Sequence, residues 1–225
     1  MDKAQRLYLW LTAVFVTCLL VADTTGGKLF TFELAGIQVR HSVGQLSFPI
    51  TFLLTDVLNE FYGAKGARRA TFVGFGMVVL AFGLYAAGNA LPVAADSFVP
   101  QAAFARVFGL SQQLIVASLS AYLVGQLLDI ALFARLKRWS HGRHVWLRAT
   151  GSTAVSQAVD TLIVTMILTA GQRRPGGELW TLAEKLDLAL TGYWLKLAIA
   201  VALTPCIYLL RWTIRTKLGV QPLPA

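Results

Sequence analysis

Apolar residues run through six stretches of the chain, each near the roughly 20 residues that a helix needs to cross a hydrocarbon core. The pattern predicts spans near 7–22, 47–62, 71–91, 110–133, 147–170 and 188–212. It therefore predicts an all-α integral membrane protein with about six transmembrane helices, folded as a single polytopic domain over 1–225. Between the first two spans, "KLFTFELAGIQVRH" (28–41) changes period. Phe30, Phe32 and Leu34 alternate with polar residues around Ala35-Gly36, which predicts a short β-hairpin on the outer face, either a connector or a lid. The second span is the shortest and most polar. Ser47 is placed to cap it, with Pro49 in its first turn, where a missing N–H costs nothing. Pro205 lies inside the last span and is expected to kink it.

Composition sharpens this picture. Only 14% of the 225 residues are charged, against about 25% in a soluble domain, and mean hydropathy is +0.62. Cys18 and Cys206 both lie in apolar runs and read as packing residues, not as a disulfide. The first span has a basic start (Lys3, Arg6), but Leu20-Val21-Ala22 lacks the small residue at the first position of an A-x-A-like cleavage site, so a retained helix is expected. Of the 20 Lys and Arg residues, 13 fall at the termini and in the alternate loops, namely Lys3, Arg6, Lys65, Arg68, Arg69, Arg135, Lys137, Arg138, Arg143, Arg148, Arg211, Arg215 and Lys217. That bias predicts that both termini of a multi-pass membrane protein face the cytoplasm. It also accounts for the net charge of +9, so no nucleic-acid partner is implied. The basic loop "ARLKRWSHGRHVWLR" (134–148) reads as anchoring against the lipid headgroups.

The polar residues inside the spans carry the functional signal. Asp56, Asn59 and Glu60 share one helix face at i, i+3, i+4. Each charge there costs about 2.5–3.5 kcal/mol to insert at mid-bilayer. The fourth span places Ser118, Tyr122, Gln126 and Asp129 at helical spacing, and the fifth carries Ser152, Ser156, Gln157 and Asp160. Gln126-Leu-Leu-Asp129 and Gln157-Ala-Val-Asp160 repeat one pattern on successive antiparallel helices. Rise per residue puts Asp56 and Asp160 near mid-bilayer and Asp129 about 10 Å nearer the cytoplasm. Glu60 and Asp129 also fit helix ends reaching water, and Lys196, beside Tyr193 and Trp194, fits a snorkelling side chain. Serine, threonine and glutamine often serve as interhelical glue. Asp56 and Asp160 are too deep for such readings and need a partner, a proton or a wet cavity, which favours a solute pathway. The three histidines lie in loops and no nucleotide, metal or nucleophile motif occurs, so neither an enzyme nor a cofactor is expected.

Three segments, "FPITFLLTDVLNEFYGAKGARRA" (48–70), "ASLSAYLVGQLLDIALFARLK" (117–137) and "WLRATGSTAVSQAVDTLIV" (146–164), resemble the queuosine precursor transporter family, which is grouped with vitamin uptake transporters. The resemblance implies a six-helix inner-membrane importer of 7-deazaguanine precursors of queuosine, such as the 7-cyano or 7-aminomethyl compound. A deazaguanine offers N1–H and an exocyclic NH2 as a donor fork for a carboxylate, an O6 acceptor and a flat ring. On that basis Asp56, Asn59, Glu60, Tyr122, Gln126, Asp129, Gln157, Asp160 and Trp194 are the candidate substrate-binding residues, with Phe52 and Tyr62 as further ring contacts. One of the carboxylates is alternatively a proton carrier. A second class stays open, the substrate-binding subunit of an energy-coupling-factor importer, for which Ala13-x-x-x-Thr17 is a faint docking match. The lipid bilayer is the other expected partner, and self-association into a homo-oligomer is also open.

Overall fold

The computed structural model describes residues 1–34, 37–109, 112–173 and 177–224. The elements are α1 (Lys3–Thr25), β1 (Leu29–Leu34), β2 (Ile37–Ser42), α2 (Gly44–Ala90), α3 (Gln101–Phe108), α4 (Gln112–Trp139), α5 (Val145–Leu168) and α6 (Leu182–Thr213), the last continuing as a π-helical stretch, Ile214–Leu218. Among the described residues, five helices are long and apolar enough to cross a membrane. The sequence predicted six, and the difference lies in α2. This element has 47 residues and contains both the second and third predicted spans.

A straight helix of that length would span about 70 Å, far more than the roughly 30 Å hydrocarbon core. Gly63 resolves the mismatch. Its φ of 70° and ψ of 177° leave the helical region for one that only glycine enters readily. Both arms lie along α1, the first (44–62) in the opposite direction to it and the second (64–90) in the same direction. Gly44 approaches Ala22 so closely that an added Cβ would collide with the Ala22 carbonyl oxygen. Tyr62 O–H donates to the Ala4 carbonyl (2.7 Å), Tyr8 O–H donates to Gly66 (2.9 Å), and Thr24 shares a hydrogen bond with Tyr85 (3.1 Å). The chain therefore reverses at Gly63.

The first arm runs through the middle of the molecule. Thr55 and Asn59 bond to α4, while Glu60 meets α4, α5 and α6. Helices α4 and α5 form an antiparallel pair, clasped at one end by Gln113, whose amide donates to the carbonyls of Ile167 (2.6 Å) and Ala170 (3.0 Å). The apolar core joins Phe15 and Leu19 of α1 to Leu54, Leu58, Val78, Ile130 and Phe133. Large apolar residues such as Trp10, Phe72, Leu84 and Val201 remain exposed, as expected of a surface that faces lipid.

Two local expectations change. Helix α2 begins at Gly44, three residues before Ser47, so Ser47 is inside the helix and its hydroxyl donates to the Gly44 carbonyl (3.4 Å) instead of capping. Pro49 correspondingly falls beyond the first turn, while Pro205 lies within α6 as predicted. Strands β1 and β2 pair antiparallel from Leu29↔Ser42 to Leu34↔Ile37. The predicted turn residues, Ala35 and Gly36, lie outside the described residues. The base of the pair is tied by Val43 N–H to Lys28 (2.8 Å) and Ser42 O–H to Gly26 (2.7 Å).

Candidate functional site

The buried polar side chains form three levels along the first arm of α2. At the end where α1 begins, Glu60 is only 1% exposed and accepts three cations. Arg148 Nη2 is 2.7 Å from Oε1, Arg211 Nε is 3.1 Å from Oε1 and Lys137 Nζ is 3.1 Å from Oε2. Lys137 also donates to the Glu60 backbone carbonyl (3.2 Å), and the tail adds Leu223 N–H to that same carbonyl (3.1 Å). The Arg148 guanidinium lies 5.5 Å from the Phe133 ring centre, a cation–π contact that accommodates part of the excess positive charge. Glu60 therefore does not reach water. Lys137 and Arg148, counted among the anchors of the basic loop, are buried and turn inward to it.

One turn further along, the carboxyl groups of Asp56 and Asp129 lie within hydrogen-bonding reach of each other. Asp129 Oδ1 also accepts from Ser156 (3.0 Å) and Thr153 (3.3 Å) and is fully buried. The sequence placed Asp129 about 10 Å from the level of Asp56, but packing of the first arm against α4 brings the two together. Gln126 accepts from Thr55 O–H (2.9 Å), and its Nε2 has no partner among the described residues. Gln157, 1% exposed, likewise has none there for either amide atom. Buried groups of this kind are rarely left unfilled, so this level keeps hydrogen-bonding capacity in reserve. Asn59 is already committed to the Ile130 carbonyl (3.0 Å).

The third level is open. A cavity of about 270 Å³ lies below the base of the strand pair, lined by Asp23, Gln45, Phe48, Ser118, Asp160 and Lys196, among others. Lys196 Nζ donates to Asp160 Oδ2 (2.9 Å) and lies 5.4 Å from the Phe48 ring centre. It is buried, so it pairs within the protein and does not snorkel. Helices α4 and α5 meet tightly here, since a Cβ on Gly125 would stand 3.3 Å from Asp160 Cβ.

Of the predicted residues, the cavity is lined by Asp160. Asp56, Gln126, Asp129 and Gln157 make up the sealed middle level. Tyr122 is buried with its hydroxyl donating to Thr71 (2.8 Å), Tyr62 belongs to the Glu60 end, and Phe52 packs edge-on to Phe48 (5.5 Å). Trp194 is 64% exposed and does not line the cavity. Sequence reasoning missed Asp23, Gln45 and Phe48 as cavity residues. Asp23 lies one residue past the predicted end of the first span, where the continuing helix was the available signal.

The family model described as "Putative vitamin uptake transporter" matches residues 42–210. A "Probable queuosine precursor transporter" of Bacillus subtilis (strain 168) is 33% identical over 180 residues, covering 79% of this chain and 74% of the relative. The "Queuosine precursor transporter" of Escherichia coli (strain K12) is 30% identical over 182 residues, covering 81% and 77% respectively. A third relative, a "Probable queuosine precursor transporter" of Haemophilus influenzae, is 29% identical over 124 residues, or 53% of this chain and 48% of its own. No solved structure gives a significant match.

Proposed function

Since the chain belongs to the vitamin uptake transporter family, we propose that it imports queuosine precursors of the 7-deazaguanine class across the cell inner membrane, for salvage into tRNA queuosine. The protein is a multi-pass membrane transporter, not an enzyme. The observation that carries the substrate reading is the agreement of two relatives, each aligned over about four-fifths of the chain, on queuosine precursors. The cavity supports it. Its volume of about 270 Å³ suits a small bicyclic ring, near the lower end of the roughly 300–1,000 Å³ typical of ligand sites.

In this reading the two arms of α2 cross the membrane separately, giving six spans with both termini cytoplasmic and the cavity facing outward. Substrate enters beneath the strand pair and meets Asp160 and Lys196. It then passes the level of Asp56, Gln126, Asp129 and Gln157, whose unfilled hydrogen-bonding groups accept it as the helices part. The Glu60 cluster closes the cytoplasmic end while the cavity is open. A proton on the Asp56–Asp129 pair is a natural coupling ion, since passage of a ligand between the two carboxyls changes how well the proton is held.

The decisive experiment is uptake of labelled 7-deazaguanines, with guanine and riboflavin as controls, in cells lacking their own importer. Saturable uptake of the deazaguanines alone is expected, and equal uptake of riboflavin overturns the substrate class. Uptake by the purified chain alone in liposomes separates this reading from a subunit that depends on an energy-coupling-factor module. Reporter fusions locating either terminus outside overturn the orientation.

A further inference from the structure

We infer that Asp23 determines substrate specificity, holding the adjacent N–H and NH2 donors of the ligand while Lys196 donates to its carbonyl oxygen. This rests on the proposed transport of a deazaguanine and assigns the recognition to the open cavity.

The cavity contains three charged side chains among those lining it, Asp23, Asp160 and Lys196. Asp160 and Lys196 neutralise each other at 2.9 Å. Asp23 has no ion-pair partner among the described residues. One hydrogen bond, from Ser118 O–H to Oδ1 (2.7 Å), orients its carboxylate and leaves the other oxygen for a ligand. A second acceptor on the same wall, Gln45 Oε1, is buried without a partner among the described residues. The inventory is therefore lopsided. The carboxylate and the amide oxygen call for donors on the ligand, and the cation among the described lining residues is Lys196, whose ammonium carries three donors and uses one on Asp160.

A ligand complementary to this set presents two neighbouring N–H donors with a carbonyl oxygen beside them, which describes the 2-amino-4-oxopyrimidine edge of a guanine-type ring. A planar ring also suits the apolar walls given by Phe48 and Phe82. The same logic predicts what is rejected. An analogue without the 2-amino group leaves one carboxylate oxygen desolvated and unfilled, the kind of loss that discriminates most strongly between ligands of equal shape.

The test is competition against labelled 7-cyano-7-deazaguanine uptake in cells lacking their own importer, using unlabelled parent and an analogue lacking the 2-amino group. In the wild type the parent is expected to compete at least about tenfold better. In Asp23→Asn, which places a donor against the ligand's donors, the parent weakens by about tenfold or more while the analogue changes little, so the preference collapses. A merely structural role lowers both equally, and preserved preference in a surface-expressed Asp23→Asn protein overturns the inference. If that variant does not reach the membrane, Asp23→Glu serves. It keeps the charge but displaces the carboxylate, and unchanged parent affinity with unchanged preference overturns the inference just as directly. Absence of any deazaguanine uptake by the wild type instead removes the underlying reading.

Discussion

Glu60 and Asp160 are both buried carboxylates facing basic side chains, yet they differ in what surrounds them. Three cations from α4, α5 and α6 crowd Glu60, and the tail closes over its backbone. Asp160 has a single lysine and lies at the rim of a cavity. A carboxylate holding three helices together is a structural joint, and separating it strands several charges at once. A carboxylate with one partner beside open space can exchange that partner for a ligand. Charge at one end of this bundle thus secures closure, while charge at the other remains available for chemistry.

The largest effect should come from breaking the crowded end. Glu60→Gln leaves the buried Lys137 and Arg148 and the half-buried Arg211 without their anion, and losing one partner of a buried ion pair costs about 3–5 kcal/mol. The expected outcome is a steep fall in folded protein and melting temperature in detergent, and a near-wild-type melting temperature would show that the cluster is not a joint. Next comes Asp160→Asn, which should reduce deazaguanine uptake at least tenfold, roughly 1.4 kcal/mol, while folding is kept. Full uptake by a correctly inserted Asp160→Asn protein would erase the distinction between the two carboxylates.

Gln157→Leu sharpens the comparison at the middle level. Replacing an amide whose two polar atoms have no partner should raise stability by about 1–3 kcal/mol while slowing uptake. A destabilised variant would mean that the amide is bonded in the resting protein. The smallest effect is expected from Arg138→Ala, an exposed cation beside the Glu60 cluster but outside it. Its uptake and melting curves should overlay those of the wild type, and a clear shift would extend the joint to the surface.

Much of this was legible from local spacing. Asp56, Asn59 and Glu60 announce a polar helix face because i, i+3, i+4 is a property of the helix itself. Their partners were not legible. Arg148 meets Glu60 across 88 residues of chain, and charge counting assigned it to lipid headgroups. The rotation of one helix against another fixes such pairs, and no short-range periodicity encodes it. Trp194 illustrates the same limit within a single helix. It was a candidate contact for the flat ring of the substrate, but residues two apart on a helix point to different sides, so Lys196 is buried while Trp194 faces out. Gly63 lay inside a motif visible in the sequence, but its role as a reversal depends on a backbone conformation that glycine permits without requiring.

The distance along the chain between Glu60 and its cations also sets a schedule for biosynthesis. At about 5–20 residues per second, the 88 residues separating Glu60 from Arg148 take roughly 4–18 s to synthesise, and Arg211 follows later still. During that interval the first arm of α2 must wait at or in the membrane with its acids uncompensated, so the Glu60 end can assemble only after the last helix emerges. Ribosome-arrested chains ending before Arg148 should leave a cysteine at position 61 open to a water-soluble thiol reagent, whereas full-length chains protect it. Protection already complete in the shorter chain would mean that α1 and the second arm shelter the acids unaided.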